Sequence, residues 1–190
     1  MDAFLISTGI VALSEMGDKT QLLTIVLAAR FKRPWTICLG ILLATLANHA
    51  LAGLLGIGVA HWMAPEVLRW VVGLSFLVMA GWLLVPDKID EAAAQPMRGL
   101  GVLGATLVMF FLAEMGDKTQ IATVALAARY ENLLAVVLGT TAGMMLANIP
   151  AAFLGEAIAR RVPMRLVHGI AAAIFALLGG LTLFNVGRLF

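Results

Sequence analysis

Two identical stretches of seven residues place ionisable side chains between long apolar runs. The first stretch is Glu15-Met-Gly-Asp-Lys-Thr-Gln21, and the second, 99 positions later, is Glu114-Met-Gly-Asp-Lys-Thr-Gln120. Ionisable groups are costly in apolar surroundings, so each stretch is a candidate functional site. Carboxylate oxygens are the ligands that hard divalent cations such as Mn²⁺, Ca²⁺ and Mg²⁺ prefer, and each stretch supplies two carboxylates.

The spacing inside each stretch predicts which side chains act together. Residues three apart share one face of a helix. If the backbone is helical here, one stripe is Ser14, Glu15, Asp18 and Gln21 in the first copy. The other is Glu114, Asp117 and Gln120 in the second copy, where Ala113 replaces the serine. If the stripes meet, their four carboxylates and the two motif lysines carry a net charge of −2, which one divalent cation would neutralise. Amide oxygens and water could complete the coordination of such an ion.

The glycine and the lysine of each stretch have their own expected roles. Gly17 and Gly116 lack a β-carbon and allow either close helix approach or a local break that frees carbonyl oxygens for an ion. Lys19 and Lys118 follow the glutamates by four residues, and we expect them to act as internal counter-ions when no metal is bound. Acids packed together repel one another, so without metal the cluster is expected to hold at least one proton near neutral pH.

Polar residues in other apolar runs are candidates for supporting roles. Asn48 and Asn148 recur in the second and fifth runs, where an amide either joins two helices or supports the cation as a ligand or a partner of one. His49 could relay protons, although an interior histidine with hydrogen-bond partners is the more common case. His61 and His168 lie near the ends of runs and are expected at the membrane interface.

The composition indicates that these runs lie in a membrane. Hydrophobic residues make up 62% of the 190-residue chain and charged residues only 13%, against about 25% in soluble domains. Backbone groups inside lipid must be satisfied within the segment, which predicts helices. A helix that crosses a bilayer needs roughly 20 residues. The candidate spans are residues 3–29, 35–60, 67–85, 100–128, 133–159 and 166–189.

The repeat extends along both halves of the chain. Gly40 in the first half matches Gly139 in the second, again 99 positions apart. Phe76 and Phe175 match in the same way. Each half holds three spans, and an odd number puts the halves in opposite orientations, as in inverted-repeat transporters. We therefore predict an all-α integral membrane protein with six transmembrane helices in two inverted three-helix repeats. The first repeat covers residues 1–86, a cytoplasmic linker loop 87–98, and the second repeat 99–190.

The distribution of basic residues predicts which side of the membrane each loop faces. Eight basic residues fall on one side of the predicted spans and three on the other, so the richer side is expected to face the cytoplasm. Both termini then lie outside the cytoplasm, and the N-terminal segment, which lacks a basic region, is expected to be a retained span and not a signal peptide. The net charge of +2 needs no nucleic-acid partner. The residues on the sparser side are Arg69, Arg129 and Arg188.

The doubled E-x-G-D-K-T signature, three spans per half and a short polar central loop together resemble the cation exchanger family of Golgi manganese/calcium transporters and bacterial manganese exporters. The resemblance covers essentially the whole chain. It implies that the motif carboxylates bind a transported ion, Mn²⁺ or Ca²⁺, which is a substrate, and no cofactor is expected. These carboxylates are Glu15, Asp18, Glu114 and Asp117. The resemblance also implies export coupled to a counter-ion, expected to be H⁺, across the inner membrane of a bacterium.

Other classes of protein fit the acidic residues less well. A structural ion-pair network could pin two helices, but it does not need seven identical residues at inverted positions. An intramembrane enzyme with paired carboxylates would need a nucleophile or a substrate pocket that the pattern lacks, and a cation channel needs no inverted repeat. The preferred hypothesis is a secondary transporter, not an enzyme, that exports a divalent metal cation in exchange for protons, with Mn²⁺ as the expected ion and Ca²⁺ as the second candidate. The sequence leaves the oligomeric state open.

Overall fold

The computed structural model describes residues 2–85, 100–154 and 164–185. Within these residues the chain is helical and contains no β-strand, so the predicted all-α class is confirmed. The predicted linker at 87–98 and the end of the fifth predicted span, at 155–159, lie outside the described residues. The helices of the described segments are α1 (Asp2–Glu15), α2 (Lys19–Phe31), α3 (Pro34–Trp62), α4 (Pro65–Leu83), α5 (Val102–Glu114), α6 (Lys118–Tyr130), α7 (Leu133–Leu154) and α8 (Met164–Leu183).

Within the described segments, four helices are long and apolar enough to cross a membrane, and they cover the second, third, fifth and sixth predicted spans. These helices are α3, α4, α7 and α8. The first and fourth predicted spans are each divided into two helices of 13 or 14 residues. Thirteen residues extend about 20 Å, which is less than the ~30 Å hydrocarbon core. The prediction of one unbroken helix per span is therefore wrong at these two places, where each helix alone is too short to cross a bilayer.

Both breaks occur at the same point of the repeated stretch. Gly17 has a φ of 82° and Gly116 a φ of 76°, a backbone conformation that glycine adopts without steric penalty. The next residue, Asp18 or Asp117, is extended and precedes the first residue of the following helix. Because the helix is interrupted after the glutamate, the continuous stripes predicted from three-residue spacing are wrong. The alternative of a local break at the glycine describes the structure.

Each broken pair packs against a helix from the other half of the chain, with α1 on α7 and α5 on α3. The contacts are close because small residues lie between the helices. A β-carbon added to Gly40 would lie 2.8 Å from the β-carbon of Thr106, and one added to Gly139 would lie 3.0 Å from that of Ser7. Thr106 and Ser7 are themselves 99 positions apart. The same contact is therefore made twice: a glycine of the first half meets the second half, and the equivalent glycine of the second half meets the first.

The helices α4 and α8 form the other main contact between the halves. Phe76 and Phe175 are both fully buried, and their ring centroids lie 5.9 Å apart. A β-carbon added to Gly179 would lie 2.9 Å from the carbonyl oxygen of Gly73, so the two backbones also approach closely. Phe76 thus contacts its own equivalent in the other half.

Candidate cation site

The two breaks face each other, and two ion pairs link them. Lys19 Nζ lies 3.1 Å from Asp117 Oδ1, and Lys118 Nζ lies 3.5 Å from Asp18 Oδ1. Each lysine therefore pairs with the aspartate of the other stretch. The break between glutamate and lysine removes the helical spacing of four residues, so each lysine faces an aspartate of the other half and not the glutamate of its own stretch.

All four predicted carboxylates lie in the interior of the helix bundle. Glu15, Asp18, Glu114 and Asp117 are at most 3% exposed, and Glu15 interacts electrostatically with the other three. The two lysines differ in their surroundings, since the side chain of Lys118 is 3% exposed and that of Lys19 is 32% exposed. The structure thus gathers the predicted acids and sets a protein cation beside each aspartate.

A threonine from each stretch positions the glutamate of that stretch. Thr20 donates its hydroxyl proton to Glu15 Oε1, and Thr119 donates to Glu114 Oε2 at 2.6 Å. The other oxygen of each glutamate is buried and has no hydrogen-bond partner within the described residues. No role was predicted for these threonines, although their place in both identical stretches was a visible signal.

The two glutamines stabilise the breaks. The amide of Gly17 donates to Gln21 Oε1 at 2.8 Å, and the amide of Gly116 donates to Gln120 Oε1 at 2.7 Å. Gln21 also donates from Nε2 to the carbonyl oxygen of Ala147 at 3.0 Å. The predicted common stripe with the acids is absent, since each glutamine lies beyond the break. Each glutamine instead satisfies an amide that the interrupted helix leaves without an intrahelical partner.

The two asparagines make different contacts. Asn148 Nδ2 lies 3.3 Å from Glu15 Oε1, and Thr24 donates to Asn148 Oδ1 at 2.6 Å. Asn48 donates to the carbonyl oxygen of Phe111 at 2.9 Å, which joins α3 to α5. Asn148 therefore supports a carboxylate of the cluster, whereas Asn48 links two helices. Both roles that the sequence left open are present, one in each half.

Two histidines have surroundings that the sequence did not indicate. His168 Nε2 lies 2.7 Å from the carbonyl oxygen of Met16 and donates to it, so His168 contacts the first break. The equivalent position in the first half is Arg69, so the repeat gave no signal for this contact. His49 is fully buried, and neither ring nitrogen has a hydrogen-bond partner among the described residues. The expectation of a fully hydrogen-bonded His49 is therefore wrong.

The two stretches also differ in their exposure. Met115 is 56% exposed and Gly116 is exposed, whereas Met16 and Gly17 are half-buried. Within the described ranges, no three His, Cys, Asp or Glu side chains are arranged to hold a metal ion together. The aspartates instead face the ammonium groups of the opposite lysines. The arrangement is a buried carboxylate cluster that the protein's own cations partly neutralise.

Comparison with known proteins gives one family and several relatives. The sequence profile of the family described as "Divalent cation/proton antiporter GDT1" matches residues 3–91 and 102–188. A Vibrio cholerae protein named "Putative manganese exporter" is 48% identical over 185 residues, which are 97% of this chain and 92% of that protein. A GDT1-like protein of Synechocystis is 27% identical over 93% of this chain and 94% of its own length. No solved structure gives a significant match.

The family match extends over both halves and includes both repeated stretches. The resemblance to exchangers with twin E-x-G-D-K-T motifs is therefore confirmed. The apolar helices agree with a protein integral to the membrane. The family's activity is the transport of ions, in which a metal is a substrate and not a resident cofactor. This chain belongs to the GDT1 family of divalent cation/proton antiporters, and it is a membrane cation transporter, not an enzyme.

Proposed function

We propose that this protein exports Mn²⁺, with Ca²⁺ as the second candidate, in exchange for protons across a bacterial inner membrane. The observation that carries the proposal is the pair of reciprocal ion pairs between the two breaks. They bring the carboxylates of both halves to one place in the interior. The choice of Mn²⁺ follows the name of the Vibrio cholerae relative, and the choice of protons follows the family description.

The proposed metal ligands are the four motif carboxylates, and their net charge determines which charge the bound ion should carry. With both lysines protonated, the cluster carries a net charge of −2, which one divalent ion neutralises. The ion would first meet the glutamate oxygens that accept no hydrogen bond, Glu15 Oε2 and Glu114 Oε1. Binding by the aspartates then requires Lys19 and Lys118 to move away from them, because an ammonium and a metal cannot occupy the same side of one carboxylate.

The neighbouring polar residues act as supports in this proposal. Thr20 and Asn148 orient Glu15 by hydrogen bonds. Gln21 and Gln120 hold the breaks open by satisfying the glycine amides. Asn48 anchors α3 to α5. Partners of this kind typically change metal affinity or activity 10- to 100-fold when they are lost, which is less than the effect of losing a ligand.

Coupling to protons follows from the same carboxylates. A divalent ion requires deprotonated oxygen ligands, so binding of the metal releases whatever protons the cluster holds. Protons that arrive from an acidic exterior would displace the metal there, and the protonated cluster could then face the cytoplasm again. No separate proton path is needed. The protons belong to the cluster as a whole and are shared among its members.

The direct test is metal flux in sealed vesicles that contain the purified full-length protein. An imposed pH gradient is expected to drive Mn²⁺ toward the acidic side, with Ca²⁺ compared in parallel. The apparent Mn²⁺ affinity should fall by about tenfold or more between pH 8 and pH 6, since protons compete with the metal for its ligands. An affinity that stays constant over this range, with flux that a Na⁺ gradient drives and a pH gradient does not, would identify Na⁺ as the coupling ion.

We also propose that the chain crosses the membrane six times as two inverted repeats, with both termini outside the cytoplasm. The exchanged contacts of Gly40 and Gly139 support a twofold relation between the halves, as does the contact between Phe76 and Phe175. A reporter that is active only outside the cytoplasm should be active when fused after Phe190. Activity of a cytoplasm-only reporter at the same position would contradict this topology.

A further inference from the structure

A cavity of about 380 Å³ lies where the ends of α3, α4 and α6 meet, and it contains a basic side chain with unused hydrogen-bond donors. Arg129 lines this cavity, and its Nε and Nη1 atoms are buried without a hydrogen-bond partner among the described residues. Its guanidinium lies 5.3 Å from the ring centroid of Tyr130, a cation–π contact that leaves these donors unsatisfied. Buried donors are rarely unpaired in folded proteins, so these atoms indicate an anionic partner.

A second arginine lies beside the same cavity, which we name the basic cavity. Arg69 follows Leu68, a lining residue, and its Nε is also buried without a partner in the described part of the chain. Glu131, an acid that lines the cavity, is exposed to solvent. Arg69 and Arg129 are two of only three basic residues on the sparser side of the predicted spans. The unpaired donors of Arg129 in this cavity favour a ligand with a phosphate group, which arginine binds through several donors.

An apolar groove of about 800 Å³ runs along α3 and α6 next to the basic cavity. On α3 its lining extends from Leu51 to Trp62, which corresponds to about 16 Å of helix. This length matches one leaflet of hydrocarbon, about half of the ~30 Å core. A third cavity of about 80 Å³ shares Val59 with the groove and Leu68 with the basic cavity. The basic cavity and the groove therefore adjoin each other.

Two exposed tryptophans indicate the depth at which the basic cavity lies. Trp62 is 93% exposed at the end of α3, and Trp70 is 51% exposed in the first part of α4. Tryptophan is enriched where lipid headgroups begin. The basic cavity is formed by residues from the same ends of these helices, so its arginines are at the level of lipid phosphates. The apolar groove extends from this level toward the middle of the bundle.

We propose that the basic cavity and the apolar groove together bind one anionic phospholipid, with its phosphate on Arg129 and an acyl chain in the groove. The far end of the groove is lined by Met115 and Gln120, which flank the second break. The lipid tail therefore contacts the repeated stretch that carries Glu114. The proposed topology places this lipid in the leaflet away from the cytoplasm, but the binding itself does not depend on metal transport.

The first test measures thermal unfolding of the full-length protein with different lipids. Phosphatidylglycerol is expected to raise the midpoint by roughly 3–6 °C relative to phosphatidylcholine, the shift for a ligand present at about ten times its Kd. Inorganic phosphate is expected to produce no shift, because it cannot fill the groove. Equal stabilisation by both lipids would overturn the proposal, and so would an equal shift with inorganic phosphate, which would identify a free-anion site.

Matched variants separate the headgroup from the acyl chain. Arg129→Gln removes the charge, and Gly58→Leu fills the groove from a position where an added β-carbon meets nothing within 4 Å. Each variant is expected to weaken phosphatidylglycerol binding by about tenfold or more, the effect of losing a charge-assisted contact or the bound chain. The controls are Arg30→Gln, at an exposed arginine, and Gly81→Leu, at an equally open glycine that does not line the groove.

Both controls should keep the lipid-dependent shift of the unaltered protein. If Arg129→Gln does not fold, Gly58→Leu still tests the site through the groove alone. An unchanged phosphatidylglycerol shift in Gly58→Leu would show that no acyl chain occupies the groove and would overturn the proposal. If Gly81→Leu loses the phosphatidylglycerol shift to the same extent as Gly58→Leu, the loss is a general effect of added bulk, and this outcome would also contradict the site.

Discussion

Replacing either Glu15 or Glu114 with glutamine is expected to reduce metal transport by more than about a hundredfold while the protein stays folded. Both side chains are fully buried, and the cluster needs its charge of −2 to bind a divalent ion without another counter-ion. Glutamine keeps the size of the side chain and can accept the same threonine hydrogen bond, but it supplies no negative charge. Loss of partners behind a ligand already costs about 10- to 100-fold, so loss of a ligand itself should exceed that range.

Equal loss in the two variants is the informative part of this result. Two independent sites, one in each half, would leave about half of the flux after either substitution. A single shared site loses nearly all flux in both cases. The measurement is the initial rate of Mn²⁺ flux in vesicles, with Glu66→Gln, at an exposed acid near the start of α4, as the matched control. Near-normal flux in either well-folded glutamine variant would contradict the shared site.

Replacing Lys118 with glutamine is expected to tighten metal binding by about tenfold or more and to slow transport by at least as much. Lys118 lies 3.5 Å from Asp18, and both side chains are almost fully buried. Removing the ammonium leaves a cluster of higher negative charge in a medium that screens charge poorly. The metal is then held more firmly, and the ammonium of Lys118 no longer takes its place beside Asp18 when it leaves.

Lys19→Gln is the matched comparison for this effect. Its ion pair with Asp117 is shorter, at 3.1 Å, but the Lys19 side chain is 32% exposed. Water screens exposed charges, so the change should have the same direction and a smaller size. Equilibrium binding of Mn²⁺ and initial flux rates, measured on the same preparations, separate affinity from turnover. Weaker metal binding in Lys118→Gln would contradict a role for lysine as an internal substitute for the metal.

Some features of this site could be predicted from the sequence because they depend on composition and repetition. Long apolar runs determine the helical class, since lipid permits few other backbone structures. The identity of the two heptapeptides predicted that both carry the same kind of site, and the cross-pairing of Lys19 with Asp117 brings them together. The four acids could therefore be identified from the sequence alone, because each is a charged residue within an apolar run.

The partners of these residues could not be predicted, because they depend on the path of the backbone at the breaks. Gly17 permits both a continuous helix and an interruption, and the local sequence does not choose between them. The interruption turns Lys19 toward the other half and brings Thr20 to Glu15. The position equivalent to His168 in the other half is Arg69, so no repeated histidine could indicate the contact of His168 with the first break. Such contacts follow from tertiary packing and not from spacing.

The packing of α1 against α7 has a consequence for how the chain is made. At synthesis rates of about 5–20 residues per second, the first stretch waits roughly 5–20 s for the second, 99 residues behind it. During that time Glu15, Asp18 and Lys19 have no partners from the other half. Each charged residue at the centre of a span opposes insertion by about 2.5–3.5 kcal/mol. We therefore expect the first half to insert stably into lipid only after the helices of the second half that pack against it have been synthesised.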